Sequence, residues 1–375
     1  DLRVHGLGVW VWGMAYKTDP SIAAMSDVPS LKWLIFGCGG VGGYFGARIA
    51  QVPGQKVSYI VRTKTLAALK EHGVRITSIC GDVQIPAASL GPTLDSQNLD
   101  KEERWEADVI MLGCKAWEAQ GCLKMCEPWC GPKTLVLPLQ NGVEGLSTIK
   151  EIVAGWGKGH ALAGCCNIVS AIAEPGHIKH WAANPPYITF GEFTGAPDAR
   201  TLQVKAVLDA APGMEGHLEE DALAKIWEKF TFICSTTAVQ ATTGPHATQD
   251  VIPKIPELYH TWRTAMTEII ALCHSYGIRY EMEQLEKRVE ALTAAVGATT
   301  SCSRDLWNGK PSEVDDLLGS VVRMGRDQKV PVPTISACYG TLILRDKIAR
   351  GEALPIKVPA EGQRILGPMW GAPSA

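Results

Sequence analysis

Residues 31–46 read LKWLIFGCGGVGGYFG, and this stretch decides the fold. Leu31–Phe36 is an apolar run interrupted only by Lys32, which is typical of a strand buried on both faces of a sheet. The glycines at 37, 39 and 42 then follow the pattern G-x-G-x-x-G, and residues 47–50 are predicted to be helical. A strand, a glycine-rich turn and a helix in this order predict the first unit of a dinucleotide-binding domain.

Each glycine of this loop has a physical role in binding a pyrophosphate. The first permits a tight turn, the second lets the backbone approach the phosphates, and the third lets the helix pack against the strand. Free N–H groups and the positive end of the helix dipole then face the anion. The residues predicted to bind the nucleotide are Gly37, Cys38, Gly39, Gly40, Val41 and Gly42. A glycine-rich turn without a ligand is the alternative.

The second predicted strand, Val57–Val61, leads to the residues that indicate the type of nucleotide. NAD sites usually place an acid about 20 residues after the glycine loop, where it binds the ribose hydroxyls. Here Arg62 occupies that distance, Lys64 follows it, and residues 59–67 contain no acid. A guanidinium pairs with a ribose phosphate through two hydrogen bonds, whereas a carboxylate would repel it. We therefore predict NADPH over NADH, with a solvated Arg62 as the alternative.

Strands and helices alternate in the first half of the chain, and helices fill the second half. Further strands are predicted at Val109–Leu112, Thr134–Pro138 and Tyr187–Phe190, and a helix at Leu66–His72. The alternation predicts a Rossmann-type, doubly wound parallel sheet over residues 31–192, followed by a linker at 193–200. Residues 201–353 are predicted to form an all-helical domain without a strand of comparable strength. Its predicted helices are Thr201–Ala210, Leu218–Gln240, Ile255–Tyr276, Met282–Val296, Pro311–Arg326 and Pro333–Arg350.

Composition excludes several classes of protein. With 375 residues, 46% of them hydrophobic and 20% charged, the chain is globular rather than disordered or fibrous. The net charge is -3, and no run of charges is long enough for a nucleic-acid patch. No apolar run approaches the ~20 residues that span a bilayer, so no membrane partner is expected. The 12 cysteines predict free thiols in a reducing compartment, the cytoplasm.

The two ends of the chain are predicted to lie outside the folded domains. The first convincing strand begins only at Leu31, so residues 1–30 are treated as an extension. An organelle is the alternative location if residues 1–24 are a remnant of a targeting segment. Residues 354–375 are rich in proline and glycine, which is typical of a loose surface tail.

Two spacings of potential metal ligands do not support a metal site. Cys122, Cys126 and Cys130 recur every four residues, but a zinc site needs a fourth ligand and tighter turns. His177 and His180 follow a Pro-Gly turn and have no acidic partner at ligand spacing. We therefore predict no bound metal.

Six further motifs follow one another in a characteristic order. They are Cys114–Trp117, Leu139–Val143, Trp227–Phe230, Thr300–Asp305, Gly309–Asp315 and Val330–Thr334. Together with the glycine loop they make residues 31–350 resemble the ketopantoate reductase (2-dehydropantoate 2-reductase) family. The resemblance implies a Rossmann domain followed by a helical domain like that of 6-phosphogluconate dehydrogenase. It also implies NADPH-dependent reduction of ketopantoate to pantoate, a step of pantothenate biosynthesis, with hydride added at the C2 carbonyl.

The resemblance assigns roles to individual residues. Lys229 is implied to be the general acid, and Glu313 to orient it while contacting substrate and cofactor. Lys115 and Asn141 are implied to lie where cofactor and substrate meet, and Ser301 to bind substrate. This set suits the chemistry, because hydride addition builds negative charge on the carbonyl oxygen, where a cation and a proton donor stabilise it.

The same residues have purely structural interpretations. Lys229 could be one of several surface charges, and Lys115 could cap a helix. Asn141 belongs to an Asn-Gly pair, which is common in turns. Glu313 follows Pro311 closely, and acids are favoured in a first helical turn by the helix dipole.

The sequence departs from the family on the helix of Lys229. Ile233 and Thr237 stand where the family has asparagines that share the lysine's face, so both are candidate substrate-binding positions. The change leaves two enzyme hypotheses open: ketopantoate, or another substrate such as a more apolar 2-oxo acid or an imine. A non-catalytic NADP-binding sensor is the alternative of another class. A homodimer is an option that the sequence does not decide.

Overall fold

A computed structural model describes residues 28–352, except for 284, 287–288 and 290–295. The predicted N-terminal extension and C-terminal tail therefore lie almost wholly outside the described residues. The same holds for most of the helix predicted at Met282–Val296.

The elements alternate as predicted and then become helical. The strands of the described residues are β1 Lys32–Phe36, β2 Lys56–Val61, β3 Val74–Ser78, β4 Val83–Ile85, β5 Thr93–Asp95, β6 Ala107–Leu112, β7 Cys130–Pro138, β8 His160–Ala161, β9 Ala163–Glu174, β10 His177–Gly191 and β11 Glu215–Leu218. The α-helices are α1 Gly42–Ile49, α2 Thr63–His72, α3 Ala119–Cys126, α4 Glu144–Gly155, α5 Ala199–Ala210, α6 Ala222–Thr243, α7 Pro256–Ser275, α8 Ser301–Trp307, α9 Ser320–Gln328 and α10 Pro333–Ala349. A π-helical turn, Asp315–Gly319, runs directly into α9.

A six-stranded parallel sheet forms the centre of the first half, in the order β5-β2-β1-β6-β7-β8. The buried apolar strands β1, β2, β6 and β7 occupy its middle, so the predicted Rossmann-type fold is confirmed. Phe36 pairs with both Ile60 and Leu112, which brings the carboxyl ends of three strands to one edge. Because the strand order reverses at β1, a crevice is expected at this edge, and the predicted nucleotide site begins there.

A second, mixed sheet was not predicted. It has the order β11-β10-β3-β4, and β9 pairs antiparallel with β10. The segment Tyr187–Phe190, predicted as the last strand of the parallel sheet, is instead part of β10. The residues of β9 become progressively more exposed toward Glu174. The sequence of β9 therefore lacks the continuous apolar run that would predict a buried strand.

The division between the two cores differs from the predicted linker at 193–200. Val204, Val207 and Leu208 of α5 pack in the same core as Trp33 of β1, and β11 pairs with β10. Residues 201–353, predicted to be helical without a strand of comparable strength, thus contain the short strand β11. The helices from α6 onward form a second core, to which Val143, Leu146, Ala163 and Cys165 of the first half also belong.

Helix α6 is the centre of the helical half. Asp221 caps it by accepting a hydrogen bond from the Ala224 N–H at 3.0 Å. Most of its residues from 226 to 241 are buried, as expected of a helix surrounded by others. Helices α7 and α10 pack against it, and Lys229 lies near its middle. Among the described residues, no helix is long and apolar enough to cross a membrane.

Candidate active site

The glycine loop joins β1 to α1 with little room for side chains. Gly37 has φ +91°, a conformation that favours glycine. A Cβ atom at Gly42 would lie 2.2 Å from the Gly37 carbonyl oxygen, so the third glycine is required for packing. At Gly39 a Cβ would meet only the end of Ile172, at 3.9 Å. The space in front of Gly39 is therefore open, as the approach of a pyrophosphate requires.

The first turn of α1 supports the same interpretation. No side chain caps the helix, and no acidic residue lies in its first turn. The Gly43 N–H donates to the Gly39 carbonyl at 2.9 Å, but the positive end of the helix dipole still faces the loop and favours an anion there. The loop is braced by Ser170 of β9, whose hydroxyl donates to the Gly40 carbonyl at 2.8 Å. A side chain at Gly40 would collide with Ser170, which explains a glycine outside the three motif positions.

Arg62 lies at the end of β2 and is exposed. Its carbonyl accepts the first hydrogen bonds of α2, from Thr65 at 2.9 Å and Leu66 at 3.0 Å. Asp95, the residue opposite Val61 on β5, is already engaged by the Thr63 hydroxyl at 3.0 Å. A hydrogen bond from the Gln97 N–H is the main cause that lowers the pKa of Asp95. Arg62 and Lys64 are therefore exposed cations at this edge, beside the ionised carboxylate of Asp95.

Lys229 reaches across from α6 to the first half of the chain. Its ammonium donates to Asn141 Oδ1 at 2.8 Å and to the carbonyl of Cys166 on β9. The residue is only 5% exposed. Burial raises the pKa of the neighbouring Cys166 thiol to about 12, so this thiol carries no charge at neutral pH.

Asn141 connects Lys229 to Glu313. It lies in the turn between β7 and α4, where Gly142 has φ +106°. Its side-chain Nδ2 is 3.4 Å from Glu313 Oε2 while its Oδ1 faces Lys229. Gln140 fixes this turn against β6 by donating to the carbonyl of Leu112 at 2.9 Å. The structure therefore brings Lys229, Asn141 and Glu313 together from three separate elements.

Glu313 is 5% exposed and lies just before the helical segment. Its carbonyl accepts the N–H of Leu317 at 2.8 Å. The prediction that placed it inside a first helical turn was therefore wrong by one position.

Lys115 follows β6 and lies close to the same acids. Its Nζ is 3.4 Å from Asp305 Oδ2 on α8. Burial alone would lower the pKa of Lys115, but the carboxylates of Glu313 and Asp305 together outweigh it and raise that pKa. The side chain is 44% exposed, so solvent weakens the ion pair with Asp305. Lys115 is thus a protonated cation at the open side of the site.

A small pocket that is partly open to solvent lies against Lys229 and Asn141. The turn residues Asn141 and Gly142 belong to its lining. The other lining residues are mainly apolar: Cys165, Ile226, Phe230, Ile233 and Leu317. The lining therefore combines the buried Lys229 ammonium and the Asn141 amide with mainly apolar side chains.

Comparison with known families gives the same result over both halves of the chain. Residues 33–195 match the family described as Ketopantoate reductase PanE/ApbA. Residues 221–345 match Ketopantoate reductase PanE/ApbA C terminal, beginning where α6 is capped. The chain belongs to the ketopantoate reductase family. It is accordingly an oxidoreductase of the kind that acts on CH–OH groups.

Relatives in this family align over nearly their whole length. An uncharacterized oxidoreductase, YkpB of Bacillus subtilis, is 28% identical over 83% of this chain and 98% of its own. A 2-dehydropantoate 2-reductase of Mesorhizobium japonicum is 27% identical over 86% and 99%. The crystal structure of 2-dehydropantoate 2-reductase from Methylococcus capsulatus superposes with a TM-score of 0.74 at 23% identity, over 85% and 98%. The last similarity shows the fold.

Of the predicted substrate-binding and catalytic residues, Lys115, Glu313, Ser301 and Thr237 do not line this pocket. Thr237 is fully buried, and its hydroxyl donates to the Thr300 hydroxyl at 3.0 Å. Thr300 in turn caps α8 by accepting the Ser303 N–H. Thr237 is therefore engaged by the cap of α8 and lies outside the pocket lining, and its role in substrate binding stays a prediction. Ser301, the first residue of α8, is exposed and outside the pocket lining.

The buried carboxylate that fixes Ser312, the residue before Glu313, was not identified from the sequence. Asp346 of α10 is 2% exposed and accepts the Ser312 N–H at 2.6 Å and the Ser312 hydroxyl at 3.0 Å. Arg350 donates to Asp346 at 2.6 Å, and its Cζ lies 4.3 Å from the centre of the Trp117 ring. The i,i+4 spacing of an acid and an arginine was the available signal, but it is common on helix surfaces.

We expect Asp346→Ala to lower the free energy of unfolding by about 3 kcal/mol, because it leaves the buried Ser312 N–H and Arg350 without their acceptor. Denaturant unfolding measures the change. Lys347→Ala is the matched control, since the neighbouring ion pair with Glu352 is exposed and contributes little. Equal stabilities of the two variants would contradict the role given to Asp346.

Proposed function

We propose that the protein reduces a 2-oxo acid to the 2-hydroxy acid with NADPH, and that ketopantoate is the first substrate to test. The observation that carries the proposal is the buried ammonium of Lys229 at the pocket wall, held by Asn141 and the Cys166 carbonyl. Burying a charge costs several kcal/mol unless it is well paired. A sensor that only bound a nucleotide would gain nothing from a charge kept at this place.

The glycine loop and the end of β2 suit the two phosphate groups of NADPH. The open space at Gly39 and the uncapped first turn of α1 would hold the pyrophosphate. Arg62 and Lys64 would bind the ribose phosphate through charge-assisted hydrogen bonds. When bound, NADPH supplies the hydride that is added to the carbonyl carbon of the substrate.

Lys229 has two tasks in this reaction. Its ammonium stabilises the negative charge that develops on the carbonyl oxygen, and Nζ then donates a proton to that oxygen. Exclusion of water strengthens the first effect, because the interaction of two charges grows as the local dielectric falls. Asn141 keeps Nζ in position by accepting its hydrogen bond, and Glu313 orients Asn141 from the other side.

Lys115 suits a different part of the substrate. It is a protonated cation at the open side of the site, whereas Lys229 is enclosed. The carboxylate of a 2-oxo acid is its permanent charge, so we assign its attraction to Lys115. This division leaves the Lys229 proton for the carbonyl oxygen.

The direct test is the steady-state oxidation of NADPH, and separately of NADH, with ketopantoate and a panel of 2-oxo acids. We expect turnover with at least one 2-oxo acid and a clear preference for NADPH. Tight binding of NADPH without turnover of any carbonyl substrate would favour the sensor instead. Absence of NADPH binding would exclude both.

Arg62→Glu should reverse the cofactor preference. Loss of the charge-assisted hydrogen bonds, worth roughly 1.5–3 kcal/mol each, predicts that kcat/KM for NADPH falls about 10- to 100-fold while NADH is affected far less. Lys70→Ala, which removes another exposed cation of α2, is the control and should leave the ratio of the two cofactors unchanged. An unchanged ratio in Arg62→Glu would remove Arg62 from the nucleotide site.

A further inference from the structure

The pocket that Lys229 shares with Asn141 has few polar groups in its lining. Asn141 uses its Oδ1 for Lys229 and directs Nδ2 toward Glu313, and Lys229 also donates to the Cys166 carbonyl. These groups surround the place where the carbonyl oxygen would be protonated. The rest of the lining is a mainly apolar wall formed by Cys165, Ile226, Phe230, Ile233 and Leu317. Four of these five are almost completely buried, and Ile233 is partly buried and packs against the same core.

This wall offers no hydrogen bond to the side chain of a substrate. Ile233 lies one turn after Lys229 on α6, and its branched hydrocarbon faces the pocket. The nearest hydroxyl one turn further, that of Thr237, is fully buried and donates to Thr300. The thiol of Cys165 is a weak donor and a weak acceptor. A hydroxyl group brought against this wall would lose its water and gain no equal partner.

From this wall we infer that the preferred substrate is a 2-oxo acid whose side chain is a branched hydrocarbon without a hydroxyl group. The inference rests on the proposed function, because it concerns the same pocket and the same proton donor. Ketopantoate carries a hydroxyl at the end of its branched side chain. The compound that matches it without this hydroxyl is 3,3-dimethyl-2-oxobutanoate, and it is the better fit to the wall.

The reaction is the same for both compounds. The carbonyl π bond breaks, one C–H bond forms with the hydride from NADPH, and one O–H bond forms with the proton from Lys229. The oxo acid is reduced to the hydroxy acid, NADPH is oxidised to NADP⁺, and solvent restores the proton of Lys229. The two compounds differ only in the group that meets the apolar wall, so their ratio of kcat/KM reports on that wall alone.

The experiment measures kcat/KM of the wild-type protein for 3,3-dimethyl-2-oxobutanoate and for ketopantoate with NADPH. We expect the hydrocarbon substrate to be favoured by about 10- to 100-fold, the range in which a hydrophobic pocket rejects an added hydroxyl. In Ile233→Asn the ratio should move toward ketopantoate by at least ~10-fold, because the amide supplies the missing partner. Ile233→Thr, which preserves the branched shape, should move it in the same direction.

Ile348→Asn is the control, because this exposed isoleucine of α10 lies outside the pocket lining and its replacement should leave the ratio unchanged. A wild-type preference for ketopantoate would overturn the inference and leave the proposed function intact. A kcat/KM ratio that stays unchanged in both Ile233 variants would also overturn the inference and leave the proposed function intact. Failure of the wild-type protein to reduce any 2-oxo acid, with either cofactor, would overturn the proposed function itself.

Discussion

Lys229→Met should lower kcat by about 10³-fold while the Kd for NADPH stays within a small factor of the wild-type value. Methionine has a similar length and fits a buried position, but it carries neither the charge nor the proton. The carbonyl oxygen would then develop its negative charge beside a thioether. The nucleotide loop lies on β1 and α1, whereas Lys229 lies on α6, so binding of the cofactor should persist. Single-turnover oxidation of NADPH and equilibrium titration measure the two quantities separately.

Lys225→Met is the matched control for this substitution. It removes an ammonium one turn earlier on the same helix, where the side chain is half-exposed and pairs with Glu228 at 3.4 Å. Lys225 lies outside the pocket beside Asn141 but lines a second pocket that also touches Lys229. We expect a change in kcat of less than about threefold, because exposed ion pairs contribute little and the Lys225 ammonium pairs with Glu228 rather than with Asn141. If the two variants retained equal activity, Lys229 would not be the proton donor, whatever the cofactor affinity.

The parts of the fold that could be predicted are those whose burial leaves a simple pattern. β1, β2, β6 and β7 lie in the middle of a parallel sheet, and their continuous apolar runs identify them. β10 does not show such a run. Its pairing with β9 shifts register between His180 and Ala182 and again before Tyr187, and it contains Pro185 and Pro186. Proline argues against a strand in sequence reasoning, although bulges and edges admit it.

Some groups of the candidate site could likewise be predicted from the sequence, and others could not. Lys229, Asn141 and Glu313 have ionisable or amide side chains, so the sequence could single them out as candidates. In the structure Asn141 lies within hydrogen-bond distance of both Lys229 and Glu313. The Cys166 carbonyl could not be foreseen, because every residue has a carbonyl and only the pairing of β9 directs this one at Nζ. Thr237 has the right spacing from Lys229, but α8 packs over it and takes its hydroxyl. Spacing along a helix therefore predicts which residues share a face of that helix, but it does not predict which other element packs against that face.

Gly42→Ala should abolish tight binding of NADPH and lower the free energy of unfolding by about 3 kcal/mol. The new Cβ would lie 2.2 Å from the Gly37 carbonyl oxygen and 3.3 Å from Gly113 Cα. Both contacts are with backbone, so no side chain can turn away to relieve them. The loop would have to move away from α1, and the N–H groups that face the open space at Gly39 would move with it.

Gly121→Ala separates this effect from the general effect of alanine in a helix. Gly121 lies within α3, and a Cβ there would meet nothing within 4 Å, so alanine should stabilise the protein by roughly 0.5–1 kcal/mol. Isothermal titration with NADPH and denaturant unfolding apply to both variants. Because Gly42→Ala should remove cofactor binding and Lys229→Met should remove only the chemistry, the two substitutions test the two halves of the site independently. Unchanged NADPH affinity in Gly42→Ala would place the nucleotide elsewhere, since no rearrangement of side chains can accommodate that methyl group.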